Sequence, residues 1–402
     1  MIHHAGKVLE VIAVLGTFSG IAYYMLCLWS AAKFLRERKA QSKATGEDAS
    51  SPQETPPVSI LKPLKGSDPD IYDSLRSHCV QDYPEYEIIF GVTDRCDPAV
   101  EIIERLIREF PQLTIQLVIC EKDLGTNTKV SNLAQMLPVA RYDHLIVNDG
   151  DIRVEPEYLR RVIAPLNDSK VGMVTCLYRG VPAPTLGSRL ESIGISTDFS
   201  GGVLVARQIE GGVRFGMGST LAFRRRDLEA IGGFECFVDY LADDYEIGSR
   251  MAARGLEVRL CETAVETLLP AYTLREFARH QLRWARTIRD CRSSRYGGML
   301  FTFGLPWAFL TLVLAHEVRW AWELLCVALT IRLAVALVVG TAVLQDRQVI
   351  AYLWLIPLRD VVALFVWMAS FAGHKVSWRG DYFYLKNGKL ARISPENSAP
   401  HL

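Results

Sequence analysis

Two carboxylates stand one residue apart in the segment HLIVNDGD, which covers residues 144–151. Asp149 and Asp151 follow the strand-like residues HLIV, so a turn would place both carboxylates at the end of that strand. Carboxylates on one turn can hold a divalent cation, and the cation would neutralise a bound diphosphate. Asx-rich turns after strands are also common structural features, and this pair by itself favours the structural interpretation.

A second acidic pair, Asp243 and Asp244, opens the amphipathic segment DDYEIGSRMAARG. One of these carboxylates could act as a general base that takes a proton from an acceptor hydroxyl. Acidic residues also stabilise helix N-termini, and the pair taken alone favours that alternative.

Cationic side chains that could bind phosphate occur in two places. The segment HQLRW contains His280, Arg283 and Trp284; arginine binds phosphate through two N–H groups, and a tryptophan can stack beside it. A basic helix next to a membrane would attract anionic lipid with the same residues, and both interpretations can hold together. Lys129 can reach a phosphate or lie at an ordinary surface position. The glycine-rich residues 211–219 could let the backbone approach a ligand.

The elements that must position these groups alternate between strand and helix. The predicted strands cover residues 58–61, 86–92, 114–120 and 143–147, and the predicted helices cover 70–80, 98–110 and 130–137. This alternation predicts an α/β fold with a mostly parallel sheet and helices on both faces. Ligands in such sheets bind beyond the carboxyl ends of the strands, where Asp94 and Asp149 both fall.

Long apolar segments flank this region. Residues 8–32 are long enough to cross a bilayer and too long for the apolar region of a signal peptide. The basic run that follows them predicts that the C-terminal flank of this segment is cytoplasmic. Three further apolar blocks cover 299–315, 321–344 and 349–374. The basic tail predicts an even number of crossings after the middle domain, so one block is expected to be interfacial or re-entrant. The last block contains Pro357, Arg359 and Asp360, which make it a candidate for a break, a functional site or an ion pair.

Composition excludes two other classes of protein. The chain has 402 residues with 45 basic and 45 acidic side chains, a balance that does not indicate a nucleic-acid binder. The 9 cysteines are scattered without a C-x-x-C pair, which argues against a disulfide framework or a zinc site. The predicted organisation is an anchor over 1–40, a linker over 41–57, a catalytic domain over 58–296, membrane segments over 297–376 and a cytoplasmic tail over 377–402.

The ordered set of motifs resembles the inverting family-2-like glycosyltransferases with a GT-A fold, and more closely the ceramide glucosyltransferase family. The motifs that carry the resemblance are SILKPLKG at 59–66, VTDRCDP at 92–98, TKVSNL at 128–133, NDGDIRV at 148–154, ADDY at 242–245, LRW at 282–284 and VSWRGDYFYLKNGKL at 376–390. Each motif is weak, but their order between membrane segments is specific. The resemblance implies a UDP-sugar donor, a membrane lipid acceptor and a divalent cation, Mg²⁺ or Mn²⁺.

The resemblance also implies roles for the site residues. Asp244 would be the catalytic base, and Asp94 would contact the uracil or the ribose. Asp149 and Asp151 would lie beside the diphosphate and its metal. Lys129, Arg283 and Trp284 would hold the diphosphate and the region where the acceptor enters, which also includes Asp243 and His280.

Two positions depart from the family pattern. Asp151 stands where the ceramide enzymes are expected to have a small residue, and a second acid would strengthen metal binding. His280 begins the motif that elsewhere reads R/Q-x-x-R-W, so any phosphate contact that it makes would depend on pH.

One segment points to the acceptor. Residues 174–183, VTCLYRGVPA, are similar to a bacterial branch associated with hopanoid biosynthesis, to which addition of N-acetylglucosamine to a hopanoid polyol is attributed. That similarity implies a bacteriohopanetetrol-like acceptor, UDP-N-acetylglucosamine as donor and a bacterial inner membrane with the catalytic domain in the cytoplasm. The alternatives are a ceramide glucosyltransferase using UDP-glucose, a processive polysaccharide synthase, and a non-catalytic membrane protein that binds nucleotide.

Overall fold

The computed structural model describes residues 2–47, 54–66, 70–316, 318–378 and 381–393. Parts of the predicted linker (48–53) and of the predicted tail (379–380 and 394–402) lie outside the described residues. The chain forms two compact units. The helical unit comprises Met1–Ala44, Pro184–Gln208 and Ala271–His374, and the sheet unit comprises Thr45–Ala183, Ile209–Pro270 and Lys375–Leu402.

All strands of the described residues belong to the sheet unit. They are β1 Val58–Pro63, β2 Tyr86–Val92, β3 Thr114–Ile119, β4 His144–Val147, β5 Ile152–Arg153, β6 Val171–Thr175, β7 Tyr178–Pro182, β8 Leu221–Arg224, β9 Glu257–Leu260, β10 Val265–Leu269, β11 Lys375–Trp378, β12 Asp381–Lys386 and β13 Lys389–Arg392. The α-helices of this unit are Ile71–Cys79, Ala99–Glu109, Thr128–Met136, Tyr158–Ile163, Arg225–Ala230 and Asp243–Ala253.

Seven strands form the central sheet in the order β3-β2-β1-β4-β8-β6-β9. The pairs β1–β2, β2–β3, β1–β4 and β6–β9 are parallel, and only β8 runs against its two neighbours. Strand β1 is buried along its whole length, as expected for a strand covered on both faces. The prediction of a mostly parallel α/β sheet is therefore confirmed, and β1, β2 and β4 end at the same edge.

Two smaller sheets complete the sheet unit. Strands β5, β10 and β7 form one, in that order, and β11, β12 and β13 form the other. In the first, β10 pairs antiparallel with β5 and parallel with β7. The second is an antiparallel meander made by residues that the sequence predicted as membrane segment and tail.

The helical unit contains the apolar segments. Its α-helices in the described residues are Ile2–Glu47, Leu186–Gly194, Ser200–Ile209, Leu274–Cys291, Ser293–Tyr296, Gly304–Leu314, Arg319–Leu337, Gln348–Tyr352 and Ile356–Ser370. Within the part of the chain that the structure describes, three helical stretches are long and apolar enough to cross a membrane: Gly6–Ala40, Arg319–Val343 and Gln348–Ser370. A fourth candidate, Ser293–Thr302 with Gly304–Leu314, is bent by 53°.

The bend corrects one prediction. The sequence made the last apolar block a candidate for a break, without specifying which block is interfacial or re-entrant. Gln348–Ser370 is instead one continuous candidate span, and the first block is the bent one. Two continuous spans after the middle region give the even number expected from the charges if the bent pair does not cross.

Charged residues inside the last span have partners. Asp360 receives two 2.8 Å hydrogen bonds from Arg332 of another helix, and Arg359 donates to Oε1 of Gln281 at 2.8 Å. The ion pair therefore joins two helices, and Arg359 and Asp360 are not paired with each other. A bidentate pair satisfies the groups that would otherwise be most costly to bury in an apolar setting.

Candidate active site

The turn after β4 presents two carboxylates in different environments. The backbone N–H of Asp149 donates to the carbonyl of Gly218 at 3.2 Å, and the Asp149 side chain is 40% exposed. Oδ2 of Asp151 accepts a 2.7 Å hydrogen bond from Oγ1 of Thr267 on β10. The turn is thus fixed from two sides, and both carboxylates remain partly exposed.

Lys129 connects the two acidic motifs. Its Nζ lies 2.8 Å from Oδ1 of Asp149 and 3.2 Å from Oδ2 of Asp243. It stands in the first turn of the helix Thr128–Met136, and the side chain of Asn127 caps that helix by accepting from the N–H of Val130 at 3.2 Å. Burial disfavours the ammonium, but Asp149, Asp243 and Asp244 outweigh it and raise the pKa of Lys129, so the cation persists.

Asp243 and Asp244 begin the helix Asp243–Ala253, whose N-cap is Ala242 and makes no side-chain cap bond. Asp243 is only 4% exposed and faces Lys129. Asp244 accepts from the N–H of Gly218 through Oδ2 and from the N–H of Tyr245 through Oδ1, both at 2.8 Å. Burial and the charge of Asp243 raise the pKa of Asp244 to about 7. A carboxylate with that pKa is matched to proton transfer near neutral pH.

Gly218 brings the glycine-rich segment into the site. A Cβ at this position would stand 2.6 Å from Oδ2 of Asp149 and 3.5 Å from Oδ2 of Asp244. Both carboxylates therefore approach the same point, and only a glycine leaves room there. The acids that the sequence placed 95 residues apart, at 149 and 244, share one cleft.

Lys62 is a buried site residue that sequence reasoning missed. It lies inside β1 with no exposed surface, and its Nζ donates to the backbone carbonyl of Asp149 at 3.0 Å. Nε2 of His78 is 3.5 Å from the same nitrogen. Burial lowers the pKa of Lys62 to about 7, against the opposing effect of Asp151 and Asp149. The available signal was a lysine in the middle of a strand that reads as fully buried.

Asp94 lies at the same edge of the central sheet, in the turn that follows β2. It is exposed and accepts from the N–H of Cys96 at 2.9 Å. Strand β1 separates β2 from β4, so the two strand ends are roughly 10 Å apart at the usual strand spacing. That distance is of the size of a nucleotide, and the role predicted for Asp94 stays a prediction.

His280, Arg283 and Trp284 belong to the helix Leu274–Cys291 of the helical unit. Nδ1 of His280 lies 3.2 Å from Oε1 of the fully buried Glu191, and the His280 ring is 5.3 Å from the ring of Trp284. Burial opposes ionisation of Glu191, but His280 and other polar neighbours outweigh it and lower its pKa. His280 thus has a carboxylate partner inside its own unit. The phosphate contacts predicted for this helix stay a prediction.

The residues fit a divalent cation that shares its ligands with a substrate. Among the described residues no group of three or more His, Cys, Asp or Glu side chains forms a complete metal site. Magnesium and related ions are commonly held by one or two carboxylates together with substrate phosphates and water. Asp149 and Asp151 supply that number of carboxylates on one turn, so a bound diphosphate would have to complete the site.

Comparison with known proteins identifies the family of this chain. The family described as glycosyl transferase family 21 matches residues 12–391. Ceramide glucosyltransferase 1 of Caenorhabditis elegans is 25% identical over 264 residues, which are 62% of this chain and 56% of that protein. Ceramide glucosyltransferase 3 of the same organism is 22% identical over 351 residues, 83% of this chain and 73% of the relative. The first match thus spans little more than half of its relative.

A solved structure supports the fold. The mannosyltransferase PcManGT from Pyrobaculum calidifontis, in complex with GDP-Man and Mn²⁺, covers 90% of this chain and 99% of its own, with a TM-score of 0.50 and 19% identity. At that identity the similarity concerns the fold alone, and it agrees with the GT-A architecture predicted from the sequence.

Proposed function

We infer that this chain, which belongs to glycosyl transferase family 21 and is a glycosyltransferase, moves a hexose or N-acetylhexosamine from a UDP-sugar to a hydroxyl of a membrane lipid. The observation that carries the proposal is the partly buried cation Lys129 between Asp149 and Asp243, beside the fixed carboxylate of Asp244. A cation supports a diphosphate leaving group, and a carboxylate with a raised pKa supports deprotonation of a hydroxyl.

The proposed reaction is a single displacement that inverts the anomeric centre. Asp244 takes the proton of the lipid hydroxyl while that oxygen bonds to the anomeric carbon and the bond to the diphosphate breaks. Lys129 offsets the negative charge that develops on the departing diphosphate. A cation held by Asp149 and Asp151 would supply further charge neutralisation when bound. The proposed role of Asp94 is to contact the nucleoside at the end of β2.

Lys129 acts in this proposal without losing its charge. Its carboxylate neighbours raise its pKa, so it is cationic across the working range of pH. Asp243 holds Lys129 in place, while Asp244 is fixed by backbone N–H groups and not by Lys129. The two adjacent acids therefore have separate tasks, one in positioning the cation and one in proton transfer.

The proposed acceptor is a polyhydroxylated hopanoid, with UDP-N-acetylglucosamine as donor. The similarity of residues 174–183 to the hopanoid-associated branch supports it. Ceramide with UDP-glucose is the second candidate, because the curated relatives of this chain are ceramide glucosyltransferases. Both acceptors present a hydroxyl on an apolar body, which suits a chain with apolar candidate membrane spans.

The test is incubation of the full-length protein in detergent or nanodiscs with separate UDP-sugars and a membrane lipid extract, followed by mass spectrometry of the lipids. We expect one new glycolipid carrying a single sugar, and its mass would identify the donor. Polymeric product would instead favour a processive synthase. Absence of both transfer and hydrolysis with every UDP-sugar would reject the catalytic proposal.

A matched pair of variants connects that assay to the site. Lys129→Met should reduce transfer at least about 100-fold, because a charge that stabilises the departing group is lost. Lys122→Met removes an exposed lysine a few residues earlier and should keep turnover close to the wild-type value. Equal activity of both variants would contradict the role given to Lys129.

A further inference from the structure

The C-terminal meander packs against the segment that leads to the acidic pair. Strands β11, β12 and β13 bury Val376, Phe383, Leu385 and Leu390 in one apolar cluster, and Leu241 belongs to the same cluster. Leu241 stands two residues before Asp243. The meander therefore packs against the segment that precedes the helix Asp243–Ala253.

Backbone hydrogen bonds fix the register of this contact. The N–H of Leu390 donates to the carbonyl of Asp239 at 2.7 Å, and the N–H of Leu241 donates to the carbonyl of Gly388 at 3.0 Å. Gly388 and Asn387 form the tight turn between β12 and β13, with φ angles of 75° and 52°. Residues 239–241 are therefore held by the turn in the manner of a short added strand.

A single hydroxyl joins this contact to the loop that carries Lys129. Oγ1 of Thr126 lies 3.1 Å from the carbonyl oxygen of Leu390 and 3.1 Å from Oδ1 of Asp239. The backbone N–H of Thr126 also donates to Oδ1 of Asp239 at 3.0 Å. Three segments that are far apart in sequence thus meet at Thr126.

The next residue extends the connection into the site. Nδ2 of Asn127 donates to the carbonyl of Tyr240 at 2.7 Å, and its N–H donates to the carbonyl of Val238 at 2.6 Å. Gly125 allows this close approach, since a Cβ there would stand 2.6 Å from Cγ2 of Val238. Lys129 follows two residues after Asn127, so its distance to the acidic pair depends on how these segments are held.

We propose that the C-terminal meander is a clamp that sets the distance between Lys129 and the acidic pair, with Thr126 as its central positioning residue. The inference rests on the proposed transferase function of the same site. It predicts that residues after the last membrane helix control the rate of transfer without contacting either substrate.

Four variants of the full-length protein test the clamp. Leu385→Asp puts a charge into the apolar cluster and should detach the meander, while Thr126→Val removes only the hydroxyl that joins the three segments. Thr126→Ser restores that hydroxyl. Arg392→Gln is the control, because Arg392 pairs with Asp123 at 2.7 Å on the surface, where both side chains are more than half exposed.

Turnover, UDP affinity and hydrogen exchange are measured for each variant. We expect Thr126→Val to lower kcat about tenfold with UDP affinity changed less than about threefold, because small misplacements of catalytic groups are costly. Leu385→Asp should lower kcat further, and both variants should speed amide exchange over residues 239–244. Thr126→Ser should recover most of the rate, and Arg392→Gln should match the wild type.

The outcomes separate the clamp from the transferase proposal. Faster exchange at 239–244 with an unchanged kcat would overturn the positioning role. Unchanged exchange in Leu385→Asp and Thr126→Val would show that the meander does not hold this segment, and it would overturn the clamp even if the wild-type protein transferred no sugar. Absence of wild-type transfer together with faster exchange would reject the proposed function and retain the clamp as a structural contact.

Discussion

Replacement of Asp244 by asparagine gives the sharpest prediction from the site. The carboxylate accepts N–H groups from Gly218 and Tyr245 at 2.8 Å each, and burial with the neighbouring charge of Asp243 raises its pKa to about 7. Asparagine has nearly the same shape but cannot take a proton from a hydroxyl. Loss of a general base costs ~10²–10⁴ in rate, so Asp244→Asn should retain UDP binding and lose turnover by that factor.

The same substitution should not destabilise the protein at alkaline pH. A rise in pKa from 3.8 to about 7 corresponds to roughly 4 kcal/mol of unfavourable free energy in the ionised form. The folded state binds this proton more tightly than the unfolded state, so the wild-type free energy of unfolding falls as pH rises from about 4 to about 7. Asparagine removes this pH dependence of the free energy of unfolding. It accepts only one of the two backbone N–H groups, and the group left without an acceptor lowers the free energy of unfolding by about 1–3 kcal/mol.

At alkaline pH the Asp244→Asn substitution should therefore lower the turnover rate without lowering the unfolding temperature. At pH 8 we expect Asp244→Asn to unfold at a temperature equal to or above that of the wild type, and at pH 5 this advantage should shrink or reverse. Glu246→Gln, in the same helix and only 3.8 Å from Arg250, is the matched control and should change neither quantity strongly. Near-normal turnover of Asp244→Asn, or a larger loss in Asp243→Asn, would refute the assignment of the base.

Three further predictions concern the surroundings of this carboxylate. The kcat/KM of the wild type should fall about tenfold per pH unit below about 7, because protonated Asp244 is inactive as a base, and a pH profile of kcat/KM without that acid limb would contradict its role. Gly218→Ala should lower kcat at least about tenfold, since its Cβ would stand 2.6 Å from Oδ2 of Asp149. Gly298→Ala controls for general effects, because Gly298 is exposed, has open space around it and does not have a positive φ. Lys62→Met should raise the donor KM, because it removes the N–H group that donates to the backbone carbonyl of Asp149. Thermal unfolding should show no loss of stability, because the substitution also removes a buried amine. A lower melting temperature with an unchanged donor KM would make Lys62 purely structural.

The sheet and its order of elements were predictable because local patterns and topology agree. The predicted strand over 86–92 coincides with Tyr86–Val92, and the predicted helix over 98–110 differs by one residue at each end from Ala99–Glu109. Apolar runs bounded by polar turns specify such elements locally. The candidate membrane spans followed from length and hydropathy, but the bend between Thr302 and Gly304 did not, because hydropathy carries no information about the direction of a helix axis.

The site residues that could be predicted were the charged residues in motifs at strand ends or helix starts. Asp149, Lys129 and the pair at 243–244 were identified from their motifs. The structure brings Lys129 into contact with Asp149 and Asp243, and Asp244 is the next residue. Lys62 and Thr267 were not identified, because their roles depend on which strands are neighbours. Long-range pairing of that kind has no local pattern in a single sequence.

The contact that defines the clamp was also unpredictable, because it joins residues that are far apart in the sequence. Residues 376–390 were noticed as a family-like tail, yet their contact with Thr126 spans 264 positions of sequence. The alternation in β12, where Phe383 and Leu385 are buried while Tyr382 and Tyr384 are exposed, would have indicated a strand with one covered face. The buried face of β12 needs side chains from another segment to pack against it. Leu241 is one of them, and it stands two residues before Asp243, which pairs with Lys129. Since the backbone N–H of Leu241 donates to the carbonyl of Gly388, under the clamp proposal this turn, together with the central sheet, sets the distance between Lys129 and Asp243.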